Sequence, residues 1–248
     1  MAQAGSPPSR APDGPPEEVS EVLLHGEMEV VGRFAGSSNA TLLVTCSADG
    51  VEVPAVYKPR RGERPLWDFP PGLDRREVAA YRLARALGWP IVPVTVLRDE
   101  APFGPGSVQH YREDDGESHY FTLREEPGRD PVLQRIAVLD LLANNADRKS
   151  GHVILSSGRV WAIDHGLCFH EEPKLRTVIW DYAGEQVPGG LLEDVRRASR
   201  ELPDDVVSLL DPGEDAALRR RASRLLKTKC FPQPVDRGGW PPYPWPIV

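Results

Sequence analysis

The stretch from Asn144 to Phe169, NNADRKSGHVILSSGRVWAIDHGLCF, leaves few folds open to this chain. It follows an apolar run, LQRIAVLDLLANN, whose length and Pro131 at the first turn predict a helix. That helix ends at a polar loop carrying Asp147. Val-Ile-Leu, then Ser-Ser-Gly, then Val-Trp-Ala-Ile-Asp reads as a tight β-hairpin closing on Asp164. One carboxylate placed after a helix and another after a hairpin can converge on one point. Phosphoryl transfer needs that arrangement: one carboxylate to orient the attacking group, another to hold the divalent cation that neutralises the phosphates. Each aspartate also has a plainer reading. Asp147 follows two asparagines where turn formers are common, and Asp164 could simply end a strand.

Bulk properties bound the rest. A chain of 248 residues, 40% apolar and 27% charged, has the make-up of a soluble globular protein of one or two domains. No apolar run approaches the ~18 residues of a membrane span, so no transmembrane segment is expected. The start, MAQAGSPPSRAPDGPPEE, has neither a basic head nor an apolar core, so cytoplasmic location is expected. The net charge of −7 argues against nucleic acid as a partner. Cys46, Cys168 and Cys230 form no CxxC pair, which points away from a disulfide framework or a zinc site of ordinary spacing.

Composition divides the chain. Residues 1–18 read as a disordered Pro-rich tail, 19–231 as the folded domain, and 232–248 as a Pro/Trp-rich extension that packs back in extended form. Within the domain, 19–112 is strand-rich. EMEVVGRF, TLLVTCSA, VEVPAVYKP, IVPVTVLRD, GSVQHYRE and SHYFTLRE read as strands, with one helix, DRREVAAYRLARALGW, capped by Asp74 and stopped by Gly88. Residues 113–231 are mainly helical around the hairpin, with LLEDVRRASREL and EDAALRRRASRLLKT as amphipathic helices. The expected class is α+β, a bilobal plan with the nucleotide lying between a strand-rich N-lobe and a helical C-lobe.

A kinase-type fold draws its parts from such positions: a lysine on the third strand for the phosphates, a glutamate on the next helix to hold it, a catalytic-loop aspartate, and a second aspartate before a glycine. Lys58, Glu77, Asp147 and Asp164-His165-Gly166 stand there. Over residues 25 to 185 the chain resembles the atypical protein-kinase-like group that includes the phosphatidylinositol 3/4-kinases and the HipA-type kinases. It is similar above all to an actinobacterial phosphatidylinositol kinase-like family. Asp147-Arg148, His152, Ile163-Asp164-His165-Gly166 and Phe169 carry the likeness.

The resemblance implies an ATP-dependent phosphotransferase acting on a hydroxyl-bearing acceptor. Asp147, Arg148 and Lys149 would serve catalysis, Asp164 and His152 the metal, and Lys58 and Glu77 the phosphates. Ser37 and Ser38 would form a phosphate-cradling turn, and Gln109 to Arg112 a hinge meeting adenine. Where those kinases place a metal-binding asparagine, this chain has His152. Imidazole is a poorer partner for hard Mg²⁺, so the second ion is lost, Mn²⁺ is preferred, or His152 serves another role. The loop after Phe169 has Lys174 and Arg176 against Glu171, Glu172, Asp181 and Glu185, which ranks a polyanionic lipid below a protein or small-molecule acceptor. A nucleotide-binding pseudokinase and a nucleotidyl transferase remain as alternatives on the same fold.

Overall fold

Alternation of apolar and polar residues builds the sheet. In the computed structural model, which describes residues 15–34, 39–116, 118–236 and 241–247, five strands pair antiparallel in the order β1-β2-β3-β5-β4. These are β1 (Glu27–Arg33), β2 (Leu42–Ala48), β3 (Val51–Pro59), β4 (Thr95–Arg98) and β5 (Gly106–His110). Asp49 and Gly50, both with positive φ, turn β2 into β3, pairing Ala48 with Val51. Val44, Cys46, Val53, Ala55, Tyr57 and Val108 are fully buried on this sheet.

Helix α1 (Pro16–His25) packs on the sheet through Val19, Val22 and Leu23. Its last carbonyls are met by the Arg98 guanidinium, which donates to Leu23 O at 3.1 Å and Gly26 O at 2.7 Å. The sequence reading missed this helix, because the Pro-rich residues before it mask its short apolar face. Residues 16–18, read as part of a disordered tail, form its first turn. Residues 1–14 lie outside the described residues.

Helix α2 (Leu73–Leu87) follows β3 as expected. Asp74 lies inside its first turn and does not cap it. Its carboxylate pairs with Arg60, and Glu63 instead accepts from the N–H groups of Gly72 and Leu73 at the helix start. Gly88, at φ +79°, ends the helix in the left-handed region that costs glycine nothing.

The chain divides into two compact units. One comprises residues up to Val78 together with Pro93–Arg112; the other comprises Ala79–Val92 and the chain from Glu113 onward. The second unit is mainly helical: α3 (Tyr120–Leu123), α4 (Asp130–Ala143), α5 (Gly189–Arg200), α6 (Asp204–Val207) and α7 (Pro212–Thr228), with α7 packed against α4 and α5. The hairpin of β6 (Val153–Ser156) and β7 (Arg159–Ala162) turns at Ser157-Gly158, both at positive φ. SHYFTLRE, expected as a strand, is the short helix α3. A capping box between His119 and Thr122 starts it and overrides the β-preference of its Tyr and Phe.

Candidate active site

In the first unit, Lys58 sits one residue before the end of β3, paired with Ser107 of β5. Glu77 lies on the second turn of α2. The Lys58 ammonium and the Glu77 carboxylate form a direct ion pair. Glu77 is almost wholly buried, at 4% side-chain exposure, while Lys58 keeps 27%. A buried carboxylate with so little access to water needs such a partner. Gln109 is a sheet residue, not a hinge. It pairs with Val56 and Thr95, and its side-chain amide donates to Thr95 Oγ1 at 2.8 Å. The boundary between the units falls three residues later, between Arg112 and Glu113. Ser37 and Ser38, the expected phosphate-cradling turn, lie outside the described residues.

In the second unit, α4 ends at Asn144, whose left-handed backbone closes the helix (φ +55°). Its side-chain amide donates to His170 O and Glu172 O. The loop that follows is held from below by one buried network. Arg148, fully buried, forks onto Asp140 through Nε and Nη2 at 3.0 Å each. Its other Nη donates to Ile163 O at 2.7 Å and His152 O at 3.1 Å, and Nη2 also reaches His165 Nε2 at 2.8 Å. Asn145 donates to Asp140 Oδ1 and accepts from Asp147 N–H, both at 2.9 Å. Thus one guanidinium ties α4, the loop after it and the strand end before Asp164 together.

Asp147 and Asp164 emerge from this frame. Ala146 N–H donates to Leu167 O, so the two loops are stitched side by side. Asp164 takes a left-handed backbone, at φ +58°, and its side chain is 48% exposed. An aspartate tolerates that conformation better than most residues, though the turn is strained. The Asp147 carboxylate lies 3.3 Å from Lys149 Nζ. Burial pushes its pKa up to about 6; the Asp164 charge adds to the rise, while Lys149 and Arg176 oppose it. The two aspartates therefore feel each other's charge, which the sequence spacing alone could only suggest.

His152 joins them. Its Nδ1 lies 3.0 Å from the Asp147 carbonyl oxygen, which can only accept, so the proton is assigned to Nδ1. The Lys149 N–H approaches the same nitrogen at a weaker 3.4 Å. Nε2 is then turned to Asp164 Oδ2, 3.4 Å away. A lone pair and a carboxylate oxygen at that separation suit either an imidazolium ion pair or two neighbouring ligands of one cation. Among the described residues, no three His, Cys, Asp or Glu side chains are arranged to hold a metal. These donors fit a cation whose other ligands are phosphate oxygens and water, the usual manner of Mg²⁺ and Mn²⁺ in phosphoryl transfer, and do not form a closed protein cage.

No known protein-family model matches the sequence. Over 264 aligned residues, covering 91% of this chain and 94% of the relative, it is 38% identical to Protein Rv2133c of Mycobacterium tuberculosis. This chain belongs to the Rv2133c family. Among solved structures, this member of the Rv2133c family is similar in fold to kinase-like proteins. The structure of hydra Fam20 with sugar matches at a TM-score of 0.56 and 13% identity, over 87% of this chain and 90% of that one. The Golgi casein kinase with Mn/ADP bound matches at 0.53 and 17%, over 94% and 80%. The Helicobacter pylori proinflammatory kinase CtkA matches at 0.50 and 12%, over 84% and 94%. At these identities the likeness is one of fold.

Within this Rv2133c family member, the sequence-expected residues fall into distinct environments. Asp147, Lys149, His152 and Asp164 come together in one unit, and Lys58 and Glu77 pair in the other. Arg148, expected to act on the transferring group, is fully buried and spent on Asp140, His152, Ile163 and His165. Asp140 went unremarked in the sequence, Asn145 was read only as a turn former, and Arg176 only as a loop charge. Asp140 had a readable signal: an acid inside the apolar run IAVLDLLA must be buried, and a buried carboxylate requires a cation.

Proposed function

We propose that this chain is an ATP-dependent phosphotransferase that moves the terminal phosphoryl group of the nucleotide to a hydroxyl acceptor. The observation that carries the reading is Asp147: a part-buried carboxylate with its pKa raised to about 6, beside Lys149, on a loop locked next to Asp164. In this reaction the acceptor O–H hydrogen-bonds to Asp147, its oxygen forms the new bond to phosphorus, and the bond from phosphorus to the bridging oxygen of ADP breaks. Asp147 orients the hydroxyl and takes its proton as the new bond forms. A divalent cation held by Asp164 and His152 would neutralise charge on the phosphates. Lys149 offsets charge near Asp147, and Lys58, held by Glu77, is assigned the phosphates. Arg148 positions the loop from beneath.

The wider likeness to phosphatidylinositol 3/4- and HipA-type kinases fits these roles. The acidic balance of residues 170–185 still favours a protein or small-molecule acceptor over an inositol lipid. Among the described residues no helix is long and apolar enough to cross a membrane. The deciding experiment measures ATP consumption and phosphorylated product with Mg²⁺ and with Mn²⁺, in wild type and in Asp147→Ala and Asp164→Ala. Turnover lost in both variants supports the reading. Nucleotide binding without turnover above the variants would favour the pseudokinase, a reading supported by the His152–Asp164 pairing. Transfer of AMP would make the protein a nucleotidyl transferase.

Two further outcomes follow from the same assignments. Turnover should rise with pH through about 6 and level off above it, because only the Asp147 carboxylate can accept the hydroxyl proton; a rate profile from pH 5 to 8 checks this. Lys58→Met should weaken ATP binding about tenfold or more by removing a charge-assisted contact to phosphate. Calorimetric titration with ATP reads that loss directly.

A further inference from the structure

We propose that segment 241–247 is a positioning element of the active site, holding the Asp147 loop in its working register through backbone carbonyls. Three hydrogen bonds attach it. Ser150 N–H donates to Ile247 O at 2.9 Å, Thr177 N–H donates to Pro242 O at 3.0 Å, and the Trp180 indole N–H donates to the same Pro242 oxygen at 3.1 Å. Ser150 and Thr177 are buried, so their amides need these partners. The segment is secured by its backbone and by the buried Pro244, not by its large aromatics, since Trp245 is 88% exposed and Tyr243 44%.

The recipients of these bonds frame Asp147. Ser150 lies three residues after it. Thr177 forms a parallel bridge with Arg148, in which Arg148 N–H donates to Arg176 O and Val178 N–H donates to Arg148 O, both at 3.1 Å. Arg176 N–H donates to Asn145 O at 2.9 Å and its Nε to Ala146 O at 2.7 Å. The strip 176–178 therefore lies along 145–148, and segment 241–247 lies along both the strip and the loop. The Arg148 network fixes the loop from beneath; this segment fixes it from the side where Ser150 and Thr177 present their amides. Four proline residues within 241–247 restrict the backbone, so these acceptors are held in place at little cost in chain entropy.

This inference rests on the phosphotransferase reading for its kinetic consequence, but not for its structural one. The test uses a chain ending at Asp236 and, as a variant whose folding is not at issue, Trp180→Phe. The truncated chain should show kcat reduced about tenfold to a hundredfold, with KM for ATP unchanged within about twofold, because positioning of the acceptor-activating carboxylate is what is lost. Hydrogen exchange should quicken at 148–152 and 176–180. The synthetic peptide PPYPWPIV should restore both rate and protection. Trp180→Phe removes one of two donors to Pro242 O and should lower kcat about threefold. A merely structural role would lower thermal stability while leaving kcat per nucleotide-binding molecule intact, and would overturn the proposal. So would a rise in kcat on truncation, or exchange at Ser150 and Thr177 that does not change. Should the wild-type chain fail to consume ATP, the phosphotransferase reading falls, and the exchange data alone decide whether the segment orders the loop.

Discussion

Asp147→Asn should lower phosphoryl transfer by about 10²–10⁴-fold while leaving the folded protein as stable as before, or more so. The first effect is the loss of a positioned proton acceptor, whose contribution is typically of that size. The second follows from the same carboxylate's electrostatics. Its pKa in the folded protein is raised from 3.8 to about 6, burial being the largest cause. Between those values the folded state binds more protons than the unfolded chain, so this group makes stability fall as pH rises from about 4 to 6. Above pH 6 the penalty is fully present. Asparagine keeps the volume and leaves untouched the backbone bond from residue 147 to Asn145 Oδ1. It also removes the charge that burial and Asp164 both oppose. Activity and stability should therefore move in opposite directions, the mark of a residue retained for chemistry. A divalent cation with ATP should lessen the wild-type penalty by neutralising the charge pair, and should do so less in the variant. Thermal melts at pH 4.5 and 7.5, with and without Mn²⁺-ATP, alongside turnover assays, read all of this. A variant that melts several degrees lower and turns over ATP at half the wild-type rate would assign Asp147 a structural role.

How much of this could be read from residues alone depended on whether the signal was local. The antiparallel strands carry β-branched residues punctuated by Asp-Gly and Ser-Gly, and α4 is an unbroken apolar run after Pro131, so each is specified within about fifteen positions. The Asp147-to-Asp164 span was legible for the same reason: a helix end, a tight turn and a strand end leave little freedom in the path between the two carboxylates. One feature was misread although its signal is local, and two were not local. SHYFTLRE has strand-like composition, yet His119 and Thr122 close a capping box that starts a helix. Gln109 was placed at the start of a hinge running to Arg112, although it lies within a stretch that also reads as a strand; its pairing with Thr95 of β4, distant in sequence, holds it in the sheet. Arg148 was assigned to chemistry because its neighbours are reactive. Its role is fixed by Asp140, eight residues upstream on another element, and only the folded arrangement brings the two within 3.0 Å.

That last pair sets the largest expected effect on stability. Arg148→Met should destabilise the protein by about 3–5 kcal/mol, since it strands a buried carboxylate without its cation. Asp140 is 1% exposed and Arg148 is fully buried, so water cannot replace the lost partner on either side. Three groups besides Asp140 meet the guanidinium: the carbonyls of His152 and Ile163, and His165 Nε2. Asn145 still donates to Asp140, whereas the carbonyls of His152 and Ile163 each lose a donor. The double variant Arg148→Met with Asp140→Leu should recover part of the loss, because it removes the unpaired charge along with its partner and refills the space with apolar volume. Recovery of stability should not bring recovery of turnover. Without the guanidinium, its hydrogen bonds to the carbonyls at 152 and 163, which help set where Asp147 and Asp164 point, are lost. Urea unfolding of the two singles and the double closes the cycle, and ATP turnover of the double separates stability from placement. A double variant restored in both stability and rate would show that the apolar packing around this site, and not the buried fork, aims the two carboxylates.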